Sequence, residues 1–235
     1  MNNFIREPIN GLTHLAGAIL SLIALIAMIV KVALDNPTVI GLIAVTIFGV
    51  SMILLYATSA TYHMVISSDT VINFLQRLDH SMIFVLIAGS YTPFCLIALN
   101  GKSGWILFSI VTLIAICGII FKLAWFNCPR TLSTSIYIVM GWLAVFVFKP
   151  LLTSLSGPGL FLLIIGGVLY TIGGIIYAIK PKCLTFKHLG FHEIFHIFIL
   201  LGSLYHFLCI YLYVIYQMGI PFAFFIRKIN LILSI

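Results

Sequence analysis

Charge is what this chain most conspicuously lacks. Of 235 residues only 12 are Lys or Arg and 5 are Asp or Glu, so 7% are charged. Soluble domains carry roughly 25%. A chain this poor in charge, and 63% hydrophobic, cannot cover itself with a water-compatible surface, which excludes a soluble globular domain. Paired cysteines are missing too. Cys95, Cys117, Cys128, Cys183 and Cys209 fall mostly in or beside apolar runs without paired spacing. That excludes a disulfide framework and a thiolate zinc site, and leaves them as small buried hydrophobes. There is no basic block either. The net charge of +7 is spread along connectors, which excludes a nucleic-acid partner and fits the short basic connectors that orient a membrane protein. Finally, the first apolar stretch, Leu12–Leu34, exceeds the ~7–15 residues of a signal-peptide core and has no clear small-residue cleavage site. It reads as a retained span.

What is present is a succession of long apolar runs. A helix needs roughly 20 apolar residues to cross the hydrocarbon core. Seven runs qualify: Leu12–Leu34, Val39–Tyr62, Leu78–Leu99, Trp105–Trp125, Leu132–Pro150, Gly159–Ile179 and Phe191–Met218. Breakers separate them, among them Asn36-Pro37, Ser67-Ser68-Asp69, Asn127-Cys128-Pro129 and Lys180-Pro181-Lys182. The pattern predicts an all-α integral membrane protein, one seven-helix domain over residues 1–235, with antiparallel neighbours. The tail Pro221–Ile235 is apolar but short, and is expected along the interface or against the bundle. Gly166, Gly167, Gly173 and Gly174 should let a neighbouring helix approach the sixth span.

Positive charges set the orientation. The N-terminus and the even connectors hold Arg6, Arg77, Lys122, Arg130, Lys180, Lys182 and Lys187, against Lys31, Lys102, Lys149, Arg227 and Lys228 on the other side. The larger set predicts a cytoplasmic N-terminus and, with an odd span count, a C-terminus outside.

Ionisable side chains at membrane depth are expensive and mark function. His192 and His196 lie one helical turn apart near the start of the seventh span. His63 closes the second span and Asp79 opens the third, so all four are expected at one end of the bundle. An i, i+4 pair projects from one helix face. Adding His63 gives a three-His set with one position left for water, as catalytic zinc sites require. Asp79 is placed to orient or deprotonate that water, or to hold a ligand His. His192-Glu193-Ile194-Phe195-His196 also spells H-E-x-x-H, the zinc-protease helix with Glu193 as base. A third protease ligand is lacking, because His206 lies about 15 Å further along the helix at ~1.5 Å per residue. His206 is expected as a hydrogen-bonded core residue, His80 as a packing residue facing away from Asp79, and His188 as solvated.

With these residues in place, the chain resembles the hemolysin III family of bacterial membrane proteins, within the progestin and adipoQ receptor superfamily. Three stretches carry the resemblance, which runs from Glu7 to about Tyr216. Glu7-Pro8-Ile9-Asn10-Gly11-Leu12-Thr13-His14 is similar to an E-x-x-N-x-x-x-H opening. Ser59-Ala60-Thr61-Tyr62-His63 is similar to S-x-x-x-H, with Leu78-Asp79-His80-Ser81 following. His192 to His196 is similar to H-x-x-x-H. The resemblance implies seven helices, an inside N-terminus, and Zn2+ bound by His63, His192 and His196, with Asp79 near the water. It implies that Ser59 takes part in that water network, and assigns Glu7, Asn10 and His14 no role beyond anchoring the first span. Related membrane hydrolases such as alkaline ceramidases point to hydrolysis of a lipid amide or ester in the bacterial plasma membrane. Two rival readings stand beside it: a membrane-state sensor with structural zinc, and a pore-forming cytolysin.

Overall fold

A computed structural model describes residues 4–35, 37–125, 127–184, 186 and 189–216. The last two residues of the predicted seventh span, the tail Pro221–Ile235, Lys187 and His188 lie outside the described residues. Among the described residues seven helices are long and apolar enough to cross a membrane: Pro8–Asp35, Val39–Met64, Asp69–Ala98, Lys102–Ala124, Arg130–Ser154, Gly157–Ile179 and Phe191–Val214. These are the first to seventh spans below, and the chain is a seven-span all-α membrane bundle.

Local chemistry sets the span ends. Thr38 and Ser156 cap the second and sixth spans, accepting from the Gly41 and Gly159 amides at 3.1 and 3.4 Å. Pro158 follows in the first turn of the sixth span, where its missing N–H costs nothing. The third span starts at Asp69, nine residues before the expected Leu78. Its opening turns alternate Val71, Ile72, Phe74 and Leu75 with Asn73, Gln76 and Arg77, a pattern that propagates a helix without suiting hydrocarbon. Asp79 therefore sits in the third turn of this helix instead of opening it. Near the other end Pro93 precedes a π-helical turn, Phe94–Ala98, which absorbs the backbone bond that proline cannot make. The fifth span passes through a 3-10 stretch, Trp142–Val147, between two α segments.

Consecutive spans pack side by side for the first four, the sixth lies along the seventh, and the seventh also touches the first. Lipid tails are as apolar as leucine, so close packing and hydrogen bonds between helices, and not water exclusion, hold such a bundle together. Large side chains such as Ile23, Ile26, Leu113, Ile120 and Phe146 point outward toward lipid, while Met28, Phe48, Tyr56, Phe84, Met140 and Ile210 are fully buried. Tyrosines tie the interior. Tyr56 and Tyr170 both bond the Ser203 hydroxyl, at 2.5 and 2.7 Å, and Tyr91 donates to the Gly141 carbonyl at 2.6 Å.

Glycines permit the closest approaches. A Cβ at Gly89 would collide with Ser51 on the second span, and one at Gly166 with the His206 ring. Gly173 and Gly174 likewise meet Phe198 and Thr134. Gly167 departs from the expectation: nothing lies within 4 Å of its Cβ position, and it lines a cavity. The cysteines also depart in part. All five are free, and Cys95, Cys128 and Cys209 are buried, but Cys117 and Cys183 are exposed.

Candidate metal centre

The second span ends and the seventh begins at the same end of the bundle, and this brings three imidazoles together. His63 occupies the last turn of one, and His192 and His196 the first two turns of the other. One donor atom from each lies within 4.8 Å of the others, a group that could hold a metal ion. His63 Nε2 and His192 Nε2 are 3.4 Å apart. Two nitrogens held at ~2.0–2.1 Å on one tetrahedral ion stand about 3.3–3.4 Å apart, so this pair already has the spacing of a shared ion. His63 and His196 are almost completely buried, and His196 Nδ1 has no hydrogen-bond partner among the described residues. Packing three imidazoles so closely away from water is costly unless something binds their lone pairs. The donor set fits a borderline cation such as zinc.

The carboxylate that supports the cluster is Glu7. Its Oε2 lies 2.6 Å from His63 Nδ1, and since a carboxylate only accepts, Nδ1 carries the proton and Nε2 is left with its lone pair facing the cluster. The backbone reinforces the arrangement, for the Glu7 amide donates to the His63 carbonyl at 2.9 Å. Arg6 donates to the Tyr62 carbonyl at 2.6 Å and lies over the Tyr62 ring. Burial pushes the Glu7 carboxyl up, but the bond and charge of His63, the Asn10 amide and Arg6 outweigh it and hold the group below its ordinary value. Asn10 ties the start of the first span to the seventh: its Nδ2 donates to Glu7 Oε2 at 3.3 Å and to Glu193 Oε1 at 2.9 Å.

Glu193 accordingly faces away from any protease role. Its other oxygen accepts from the Gly190 amide at 2.8 Å, reaching back to cap the N-terminus of the seventh span. The H-E-x-x-H spelling is thus a histidine pair of the candidate cluster with a capping glutamate between.

Asp79 falls outside the group of mutually close donor atoms among the described residues. It lines a cavity of about 140 Å³ together with Ser59, whose hydroxyl lies beside its carboxyl, and with His192 and His196. The cavity continues past Ile83, Ile87 and Ile138 to Trp142, Tyr170 and His206, so its far walls are largely apolar. His80 lines the same cavity, where a residue facing away was expected. Its Nδ1 donates to the Gln76 carbonyl at 2.7 Å, which leaves Nε2 to accept from the Tyr177 hydroxyl at 2.8 Å. His206 is a core residue as expected, packed on Tyr170 and Gly166. Its ring nitrogens nonetheless find no hydrogen-bond partner among the described residues.

Sequence reasoning left Glu7, Asn10 and His14 without a role. His14 is buried and stacks face to face on His196, with ring centroids 3.6 Å apart. The signal was available: positions 7, 10 and 14 share one helix face, a polar stripe leading into an otherwise apolar run.

This geometry defines a class: a seven-span membrane protein with a three-His cluster, two of its rings buried, beside a cavity within the bundle. Residues 2–207 match the family model described as Haemolysin-III related, and the chain belongs to that family, within the progestin and adipoQ receptor superfamily. It is similar to the Hemolysin-3 of Bacillus cereus, 44% identical over 216 residues, which cover 92% of this chain and 95% of that protein. It is likewise similar to the Hemolysin-3 homolog of Bacillus subtilis (strain 168), 43% identical over 211 residues, covering 89% of this chain and 95% of the relative.

Proposed function

We propose that this protein is a zinc-dependent hydrolase of the bacterial plasma membrane that cleaves a lipid amide or ester. One observation carries the reading: the donor atoms of His63, His192 and His196 converge, and His192 and His196 of this group line a cavity whose mostly apolar walls suit an acyl chain. In this reading the N-terminus and the cluster face the cytoplasm. Zinc held by the three imidazoles would supply Lewis-acid polarisation of a carbonyl. Glu7 fixes the His63 tautomer so that Nε2 is free to bind. Asp79 takes a proton from a water held between its carboxyl and Ser59, and Ile83, Ile87 and Ile138 align the chain and exclude bulk water. The test is zinc content and turnover of the detergent-purified protein on long-chain ceramides and acyl esters, beside His63→Ala and His192→Ala. One zinc per chain and hydrolysis, both lost in the variants, are expected. A metal-free wild type, or no turnover on any lipid class, overturns the proposal.

The names of the Bacillus relatives favour a second reading, cytolysis. It predicts dye leakage from liposomes at equal rates for wild type and His192→Ala. Leakage abolished by the substitution, or absent in both, removes it.

A further inference from the structure

Three residues at the metal end of the bundle take no part in the cluster. Arg130 is the first residue of the fifth span, Lys180 ends the sixth, and Phe191 begins the seventh. The Arg130 guanidinium and the Lys180 ammonium lie over the same Phe191 ring, 5.8 and 5.7 Å from its centroid. Arg130 also covers the Tyr177 ring at 4.6 Å, and Tyr177 is a wall of the cavity, joined to His80. Two cations are thus gathered around one aromatic side chain, beside the cavity, at the depth where headgroups lie.

Among the described residues neither cation has a carboxylate partner. The ion pairs there are Arg6–Glu7, His63–Glu7 and Lys31–Asp35. Glu193, two residues from Phe191, is engaged by Asn10 and the Gly190 amide. Lys180 is held at φ 53°, ψ 58°, the left-handed conformation that glycine adopts freely and a side chain disfavours. A glycine would end this helix at lower cost.

We propose that Arg130 and Lys180, held around Phe191, bind the phosphate of an anionic lipid headgroup beside the His cavity. Basic pockets between helices at the headgroup level bind anionic lipids in this way. The site does not require the metal, and stands or falls apart from the hydrolase reading.

Native mass spectrometry of the full chain in detergent tests it, with phosphatidylglycerol, phosphatidylcholine and inorganic phosphate as probes. One phosphatidylglycerol should be retained in preference to phosphatidylcholine. Arg130→Gln and Lys180→Gly should each weaken it about fivefold, the effect of removing one basic charge near a membrane, and Lys180→Arg should preserve it. Lys180→Gly relieves the left-handed backbone, so its thermal midpoint should equal or exceed that of wild type, which separates lost binding from lost folding. Equal retention of the two lipids, or phosphatidylglycerol binding unchanged in both weakening variants, overturns the proposal. Displacement of the lipid by millimolar inorganic phosphate overturns the lipid assignment and makes this a site for soluble phosphate, whereas no displacement supports the lipid.

Discussion

Glu7 Oε2 and His63 Nδ1 stand 2.6 Å apart, joining the residue before the first span to the last turn of the second. The contact fixes both the ring orientation and the tautomer of one imidazole of the three-His cluster. Glu7→Gln should therefore weaken metal retention by about 10–100-fold, the usual effect of losing a partner that orients a ligand. Chelator competition on the purified protein measures it. Wild-type retention in the variant would falsify the supporting role.

Asp79→Asn separates chemistry from structure. Asp79 lies beyond the three donors, so the variant should keep its zinc while turnover falls by at least about 100-fold, the low end for general-base catalysis. Loss of metal together with activity would make Asp79 a ligand and sink its assignment to the water.

Glu193→Gln is expected to act on stability. Its two oxygens accept from the Gly190 amide and from Asn10; Gln keeps one acceptor and makes the other a donor, so one of the two bonds is lost, at a cost of about 0.5–2 kcal/mol. The thermal midpoint should drop with zinc content unchanged. A catalytic collapse without destabilisation would revive the protease reading of H-E-x-x-H.

Acid should release the metal, because protons compete for imidazole lone pairs. The Glu7 carboxyl has its pKa depressed in the folded protein, so its stabilising contact is fully present above its ordinary value of 4.5 and is lost only as pH falls below that. Glu7→Gln, binding the metal more weakly, should therefore release it at higher pH than wild type. Metal content across a pH series decides it; identical release curves count against the Glu7 contact.

Gly89→Ala tests the packing. The added methyl runs into Ser51, and overpacking of this kind costs about 1–3 kcal/mol. Gly141→Ala, with nothing within 4 Å of its Cβ position, is the control. Equal thermal midpoints for the two would show that the second and third spans can shift apart freely.

Much of this was legible in the residues. Run length alone located seven spans, because hydrocarbon thickness fixes how many apolar residues a crossing helix needs. His63, His192 and His196 stood out because imidazoles are costly there and the i, i+4 pair shares a face. The start of the third span was less legible: Asn73, Gln76 and Arg77 break the apolar run without breaking the helix, since polar side chains propagate helix as well as apolar ones do. Glu7 was missed as the supporting carboxylate because its partner lies 56 residues away, a pairing that only tertiary packing creates. Asp79 attracted that role by its position beside a span end, which proved to be the interior of a longer helix.

The donors of the cluster come from opposite ends of the chain. His63 and His192 are 129 positions apart, and Asn10 and Glu193 are 183 apart. At roughly 5–20 residues per second, a ribosome takes on the order of ten seconds to pass from the first donor to the second. Throughout that interval His63 and Glu7 sit in a nascent, half-inserted chain with nothing to complete the site. The three-imidazole site can thus be completed only after synthesis, so any ion it takes up would report that the final helix has entered the membrane and docked.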